Sequence, residues 1–212
     1  MARGKLITIE GLDGAGKTTL AAGLVPALRA AGAEVELLRE PGGVACAERV
    51  RELVKDPGLA VGARAEALLY AAARAQLVQE RVAPLLEAGH WVLLDRFVDS
   101  SLAYQGAARG LGREQVGAIN DFATGGLRAE RTLLLRIDPA TGRARSGARG
   151  APDRLESEDH RFFAAIVAAY DELAAAEPER FRVLDASRPP AQVLDDALAA
   201  LGNLLPAAQP RP

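Results

Sequence analysis

The sequence predicts an α/β fold: a three-layer α/β/α sandwich in which a five-stranded parallel sheet is covered by helices on both faces. Three observations carry this prediction. Short apolar segments alternate along the chain with longer Ala- and Leu-rich stretches, the β–α order that builds a parallel sheet between helical layers. The first apolar segment runs straight into Gly11-Leu-Asp-Gly-Ala-Gly-Lys-Thr18, and that octapeptide opens into a run with helical spacing. The third segment, Trp91-Val-Leu-Leu-Asp95, is nearly continuous in apolar residues, as a central strand buried on both faces must be.

Taken in order, Leu6 to Glu10 alternates as a strand, and Lys17 to Ala31 carries Leu20, Leu24, Val25 and Leu28 at the 3–4-residue interval of a buried helix face. Glu34 to Arg39, Trp91 to Asp95, Thr132 to Asp138 and Phe181 to Asp185 supply four further strands, and Ala63 to Ala88 a long helical segment. Gly142-Arg-Ala-Arg-Ser-Gly-Ala-Arg-Gly150 has almost no large apolar side chain and is expected to form a mobile, Arg-rich lid over about 142–153. The tail from Leu205 to Pro212 has too little apolar content to pack and is expected to be flexible. The remaining residues, 1–204, read as a single domain, since 212 residues with 49 % apolar composition can bury one sizeable core.

The octapeptide carries chemistry of its own. It fits the pattern of two glycines separated by four residues and followed by Lys and Thr, and the composition of the chain gives roughly 0.0015 accidental matches. Glycines let backbone N–H groups turn inward around a β-phosphate, Lys17 reaches the β/γ oxygens, and the Thr18 hydroxyl is a Mg²⁺ ligand. Gly11, Leu12, Asp13, Gly14, Ala15, Gly16, Lys17 and Thr18 are therefore the expected ATP-phosphate site.

Composition narrows the partners. A net charge of −2 and a pI near 5.8 argue against a nucleic-acid groove or a membrane surface. One cysteine, Cys46, and two isolated histidines, His90 and His160, form neither a disulfide nor a metal cluster. No segment approaches the run of about 20 apolar residues that a membrane helix needs, so a cytoplasmic protein is expected.

In open α/β sheets ligands gather at the carboxyl ends of the strands. Gly11 to Thr18, Arg39-Glu-Pro-Gly-Gly43, Asp95-Arg-Phe97 and the stretch after Asp138 all fall there. An unpaired carboxylate at the end of a buried strand is costly, which makes the Thr18 hydroxyl or a Mg²⁺-bound water the natural partner of Asp95.

These residues, with Asp95-Arg-Phe-Val-Asp-Ser-Ser-Leu-Ala-Tyr-Gln105 and Asp153-Arg-Leu-Glu156, resemble bacterial thymidylate kinases, members of the P-loop nucleoside monophosphate kinases, from about residue 5 to about 200. The resemblance implies the P-loop NTPase fold and Mg²⁺-dependent transfer of the ATP γ-phosphoryl to dTMP, giving dTDP. It implies a homodimer. Arg39 and Arg96 would hold the acceptor phosphate, and Asp13 would face the acceptor sugar or a bridging cation. Tyr70 would stack on thymine, Arg74 would reach its O4, and Ser101 and Gln105 would meet the base edge. Tyr104 would crowd the 2′ position of the sugar. Ala15 replaces an arginine that some relatives carry in the loop, so the missing cation must come from the lid: Arg149 first and Arg145 second, with Arg143, Arg145 and Arg149 spaced so that they could share one helix face.

Three alternatives compete. A GTPase needs an Asn-Lys-x-Asp guanine reader, and none of Lys5, Lys17 and Lys55 follows an asparagine. A non-kinase ATP-binding module would have no use for acceptor-side arginines. A kinase for another deoxynucleoside monophosphate is the nearest rival.

Overall fold

The computed structural model describes residues 3–147 and 153–205. Five strands, β1 (Leu6–Gly11), β2 (Val35–Arg39), β3 (Trp91–Asp95), β4 (Arg131–Arg136) and β5 (Phe181–Asp185), form one parallel sheet in the order β2-β3-β1-β4-β5. The helices are α1 (Lys17–Ala30), α2 (Ala45–Lys55), α3 (Ala63–Leu77), α4 (Ala83–Glu87), α5 (Val98–Ser101), α6 (Arg113–Thr124), α7 (Pro139–Gly147), α8 (His160–Ala176) and α9 (Pro190–Leu201).

Strand alternation feeds two cores. Ile7, Ile9, Leu93, Leu133 and Leu135 pack with Leu20, Leu24 and Leu28 of α1, Ile166 of α8 and Val193 and Ala197 of α9. Leu6, Leu38, Val92 and Leu94 pack with Val50 and Val54 of α2 and Ala73 and Leu77 of α3. The sheet is thus covered on both faces, as the near-continuous apolar strands require.

Two departures from the sequence expectation concern helices. The long segment from Ala63 is interrupted by a π-helical turn at Val78–Val82, and a second π-helical stretch spans Leu102–Ala108. Also, the Arg-rich stretch is helical from Pro139 to Gly147 and packs against the phosphate loop. A side chain on Gly14, which has φ of 80°, would meet the Gly142 carbonyl at 2.0 Å, and one on Gly142 would come within 2.9 Å of the Asp13 carbonyl. Two glycines bring these backbones together where any larger residue would part them. The expected tail lies outside the described residues from 206 onward.

One buried carboxylate ties the sheet edge together. Glu10, near the end of β1, is fully buried and accepts hydrogen bonds from the Phe97 N–H (2.8 Å), the Ser100 hydroxyl (2.6 Å) and the Tyr170 hydroxyl (2.8 Å). Burial, and then the charge of Asp99, pushes its pKa up to about 7, against the pull of Ser100, Arg96 and Tyr170.

The native state therefore holds this proton longer than the unfolded chain. As pH rises from about 4.5 to about 7, native stability falls on this account, because the native state binds more protons across that window. Glu10→Gln cannot titrate. Urea unfolding from pH 4.5 to 8 is expected to show wild-type stability falling relative to Glu10→Gln by at most about 3 kcal/mol, with the change complete by pH 8. A difference that stays flat across the range contradicts the raised carboxyl.

Candidate active site

The carboxyl ends of all five strands open on one cavity of about 690 Å³. Four of the segments are those the sequence places there. The fifth, carrying Ala186, Arg188 and Pro190 after β5, was not anticipated, since nothing in Asp185-Ala-Ser-Arg188 departs from an ordinary strand-to-helix loop.

The phosphate loop forms one wall. Asp13, Gly14, Ala15, Gly16, Lys17 and Thr18 line the cavity. Gly11 and Leu12 contribute from behind, their carbonyls accepting from Lys17 Nζ at 3.1 and 2.9 Å. Two of the three ammonium protons are thereby spent on the loop, which aims the ammonium and leaves one for a ligand. Lys17 is buried, and burial together with the Arg96 charge pulls its pKa down to about 8.

Arg96 is the centre of the charged cluster. It has φ of 70°, a left-handed conformation rare for a residue with a side chain. Such strain costs on the order of 1–3 kcal/mol and persists where surroundings over-determine it. Here they do. The Arg96 N–H donates to Ile9, the next N–H is held by Glu10, and the guanidinium donates to Ser100 (3.1 Å) and Asp13 (2.9 Å) and lies over the Tyr104 ring at 5.1 Å. Burial pushes the Asp13 carboxyl up, but the charges of Arg96 and Lys17 outweigh it and hold that group well below the usual carboxylate range. Lys17 Nζ is 3.9 Å from Asp13, so the two cations, one from the phosphate loop and one from the turn after β3, share one carboxylate.

A second wall of the cavity is built on α3, α5 and the π-helical stretch. Tyr70, Arg74, Ser101, Tyr104 and Gln105 all line the cavity. The wide π turn brings both Tyr104 and Gln105 inward, a placement that regular helical spacing does not reveal. Arg74 is buried with every guanidinium nitrogen engaged: on Glu40 (2.7 Å), Ser101 (2.9 Å), the Phe97 carbonyl (2.9 Å) and Asn120. It is a fixed part of the cavity floor as well as a candidate base reader. Arg39 also lines the cavity, but it is half exposed and bonded to Glu48 (2.8 Å) and the Pro41 carbonyl.

On the donor side the lid arginines separate. Arg145 lines the cavity and donates to the Ala186 carbonyl at 3.1 Å. Arg143 lies over the Phe163 ring at 5.0 Å instead. The single helix face expected for these arginines is corrected accordingly: residues two apart on an α-helix point about 200° apart. Arg149 lies outside the described residues.

Asp95 Oδ1 is buried without a hydrogen-bond partner, on a cavity that Thr18 also lines. A lone carboxylate oxygen beside a hydroxyl fits Mg²⁺, which takes one or two protein oxygens and completes its shell with phosphates and waters. Among the described residues no group of three or more His, Cys, Asp or Glu is placed to hold a metal.

Glu10, Glu40 and Glu66 are the side chains that the sequence reading missed. Each is a buried acid paired with residues far along the chain; the one available signal, for Glu10 and Glu66, was a charged residue inside a strand or helix face that must be buried.

The thymidylate kinase family model matches residues 9–197. The chain is 50 % identical over 203 residues to the thymidylate kinase of Deinococcus radiodurans, covering 96 % of this chain and 98 % of that protein. It is 46 % identical over 207 residues to the thymidylate kinase of Halorhodospira halophila, with 96 % of each covered. Against the thymidylate kinase of Pseudomonas syringae pv. syringae it is 47 % identical over 204 residues, 96 % of this chain and 95 % of that one. With nearly its whole length matched in this way, the phosphate loop included, the chain belongs to the thymidylate kinase family.

Proposed function

We propose that the protein transfers the γ-phosphoryl group of ATP to dTMP, giving ADP and dTDP, in the supply of dTTP. The observation that carries this reading is the Lys17–Asp13–Arg96 cluster, in which a donor-phosphate lysine and an acceptor-side arginine meet at one carboxylate inside a single cavity.

Phosphoryl transfer brings two sets of phosphates together in line, and the transition state spreads charge over the equatorial oxygens of the moving group. Cations fixed in advance stabilise that charge without reorganising. Lys17 would hold the β- and γ-phosphates, while the phosphate loop's backbone carries the rest of the triphosphate. Arg96 would take the dTMP phosphate, exchanging part of its bond to Asp13 for the ligand, and the half-exposed Arg39 would leave Glu48 to join it. Asp13 would then be free to orient the acceptor. Thr18 and Asp95 would hold Mg²⁺, which would supply positive charge to neutralise the charge developing on the phosphates. Tyr70 would stack on the base above Arg74 and Ser101, with Gln105 at its edge and Tyr104 against the sugar.

Ala15 is buried and offers no cation in the loop, so the remaining charge falls to the lid. Arg145 is the described arginine that α7 brings to the cavity, and Arg149 is its alternative. The whole assembly is read as one kinase domain. We place the enzyme in the cytoplasm: among the described residues no helix is long and apolar enough to cross a membrane, and Cys46 is a free, exposed thiol. We also propose a homodimer. Helices α3 and α6 pack on each other and carry Leu68 and Phe122, which are 57 % and 92 % exposed.

Three measurements test these statements. ADP release with dTMP, dUMP, dGMP and dAMP in parallel is expected to be stimulated most by dTMP; absence of stimulation by dTMP overturns the assignment. Arg145→Ala and Arg149→Ala, compared in single turnover, are expected to identify the finger: its loss lowers kcat by about 10²-fold or more while ATP affinity barely moves. An unchanged kcat removes that arginine from the mechanism. Phe122→Asp is expected to halve the mass measured by light scattering; an unchanged mass excludes this face from the dimer.

A further inference from the structure

Glu66 lies on α3 and is completely buried, and three side chains converge on its two oxygens. Arg154 donates to Oε2 at 2.6 Å, Arg109 reaches both oxygens at 3.3 and 3.2 Å, and Nε2 of Gln105 donates to Oε1 at 2.8 Å. A carboxylate bracketed by two guanidinium groups only accepts. The Gln105 amide therefore has one permitted orientation: its NH₂ turns to Glu66, and its carbonyl oxygen is left for the cavity that Gln105 lines. Among the described residues no other hydrogen bond reaches this amide, so Glu66 alone fixes it.

We propose that Glu66 is the positioning residue that sets base selectivity: by locking the Gln105 amide it presents an acceptor, and never a donor, to the acceptor nucleotide's base. The inference rests on the dTMP reading above. Thymine and uracil carry N3–H and can donate to that oxygen. Cytosine has a bare N3, which would face the carbonyl lone pairs and leave both acceptors unpaired in a buried site. A free amide would evade this by turning over, since its two ends are nearly the same shape, and would then donate to cytosine. The lock is what removes that option. Arg74, the candidate reader at O4, makes its hydrogen bonds to Glu40, Ser101, Phe97 and Asn120 and does not orient the Gln105 amide.

Glu66→Gln tests the lock, since an amide in place of this carboxylate can either donate or accept and so permits both orientations of Gln105. Each arginine keeps a second partner in that variant: Arg109 on Glu158 at 2.6 Å and Arg154 on the Val54 carbonyl at 3.0 Å. Steady-state kinetics of the whole enzyme with dTMP and with dCMP give the readout. The ratio of kcat/KM for dTMP over dCMP is expected to fall about tenfold or more, carried mainly by the two KM values. A purely structural role for Glu66 lowers both efficiencies together and leaves the ratio where it was; that result overturns the proposal. Wild-type enzyme inert toward dTMP would instead refute the kinase reading itself. Should Glu66→Gln fail to fold, Gln105→Met, which leaves the Glu66 ion pairs intact, decides: a fallen ratio supports the lock, and an unchanged one overturns it.

Discussion

The carboxylate of Glu10 sits at the end of the central strand and holds together three segments that are far apart in sequence: the turn after β3 through the Phe97 N–H, the start of α5 through Ser100, and α8 through Tyr170. The geometry around Arg96 depends on this. Arg96 could not keep a left-handed backbone without its flanking N–H groups being held, one by Ile9 and one by Glu10. Ser100 then connects the same carboxylate to the Arg96 guanidinium. A buried acid is expensive unless its oxygens are satisfied; here the cost is offset by three donors and is converted into the aim of one arginine.

Around that fixed point the cations differ in how firmly they are held. Arg74 is bonded on every nitrogen and sealed beneath Glu40, Ser101 and Phe97. Lys17 is anchored on two loop carbonyls. Arg39 and Arg145 are held by contacts a ligand can displace: a half-exposed ion pair, which contributes at most about 1 kcal/mol, and one backbone carbonyl. The gradient has a physical logic. Side chains that shape the cavity floor are fixed in advance, which avoids reorganisation when a ligand arrives, while arginines at its rim keep partners that a ligand can replace.

What was legible in the sequence was local. Strand alternation, the helix spacing of Leu20, Leu24 and Leu28 and the loop at 11–18 each occupy a short window, so the parallel sheet and the common edge of its strands could be read directly. Tyr104 and Gln105 were reachable only through family resemblance, because a π-helical stretch, rather than regular helical spacing, turns both of them inward. Glu10, Glu40 and Glu66 escaped for a different reason. Their partners lie 34 to 160 residues away, and no window of sequence shows that a carboxylate and its arginine will be folded together. The opposed directions of Arg143 and Arg145 follow from helix geometry alone, but only once the stretch is known to be helical.

The contact between Gly14 and Gly142 shows why the lid and the loop must act as one device. The loop's second glycine has no side chain, and neither does the lid residue above it, so α7 rests on the phosphate loop with backbone against backbone. Ala15, buried beside this contact, brings no charge to the loop. On the reading proposed above, the cation absent from the loop would come from the lid, from Arg145 or Arg149. The charge proposed to stabilise transfer would then sit on the segment that packs against the phosphate loop.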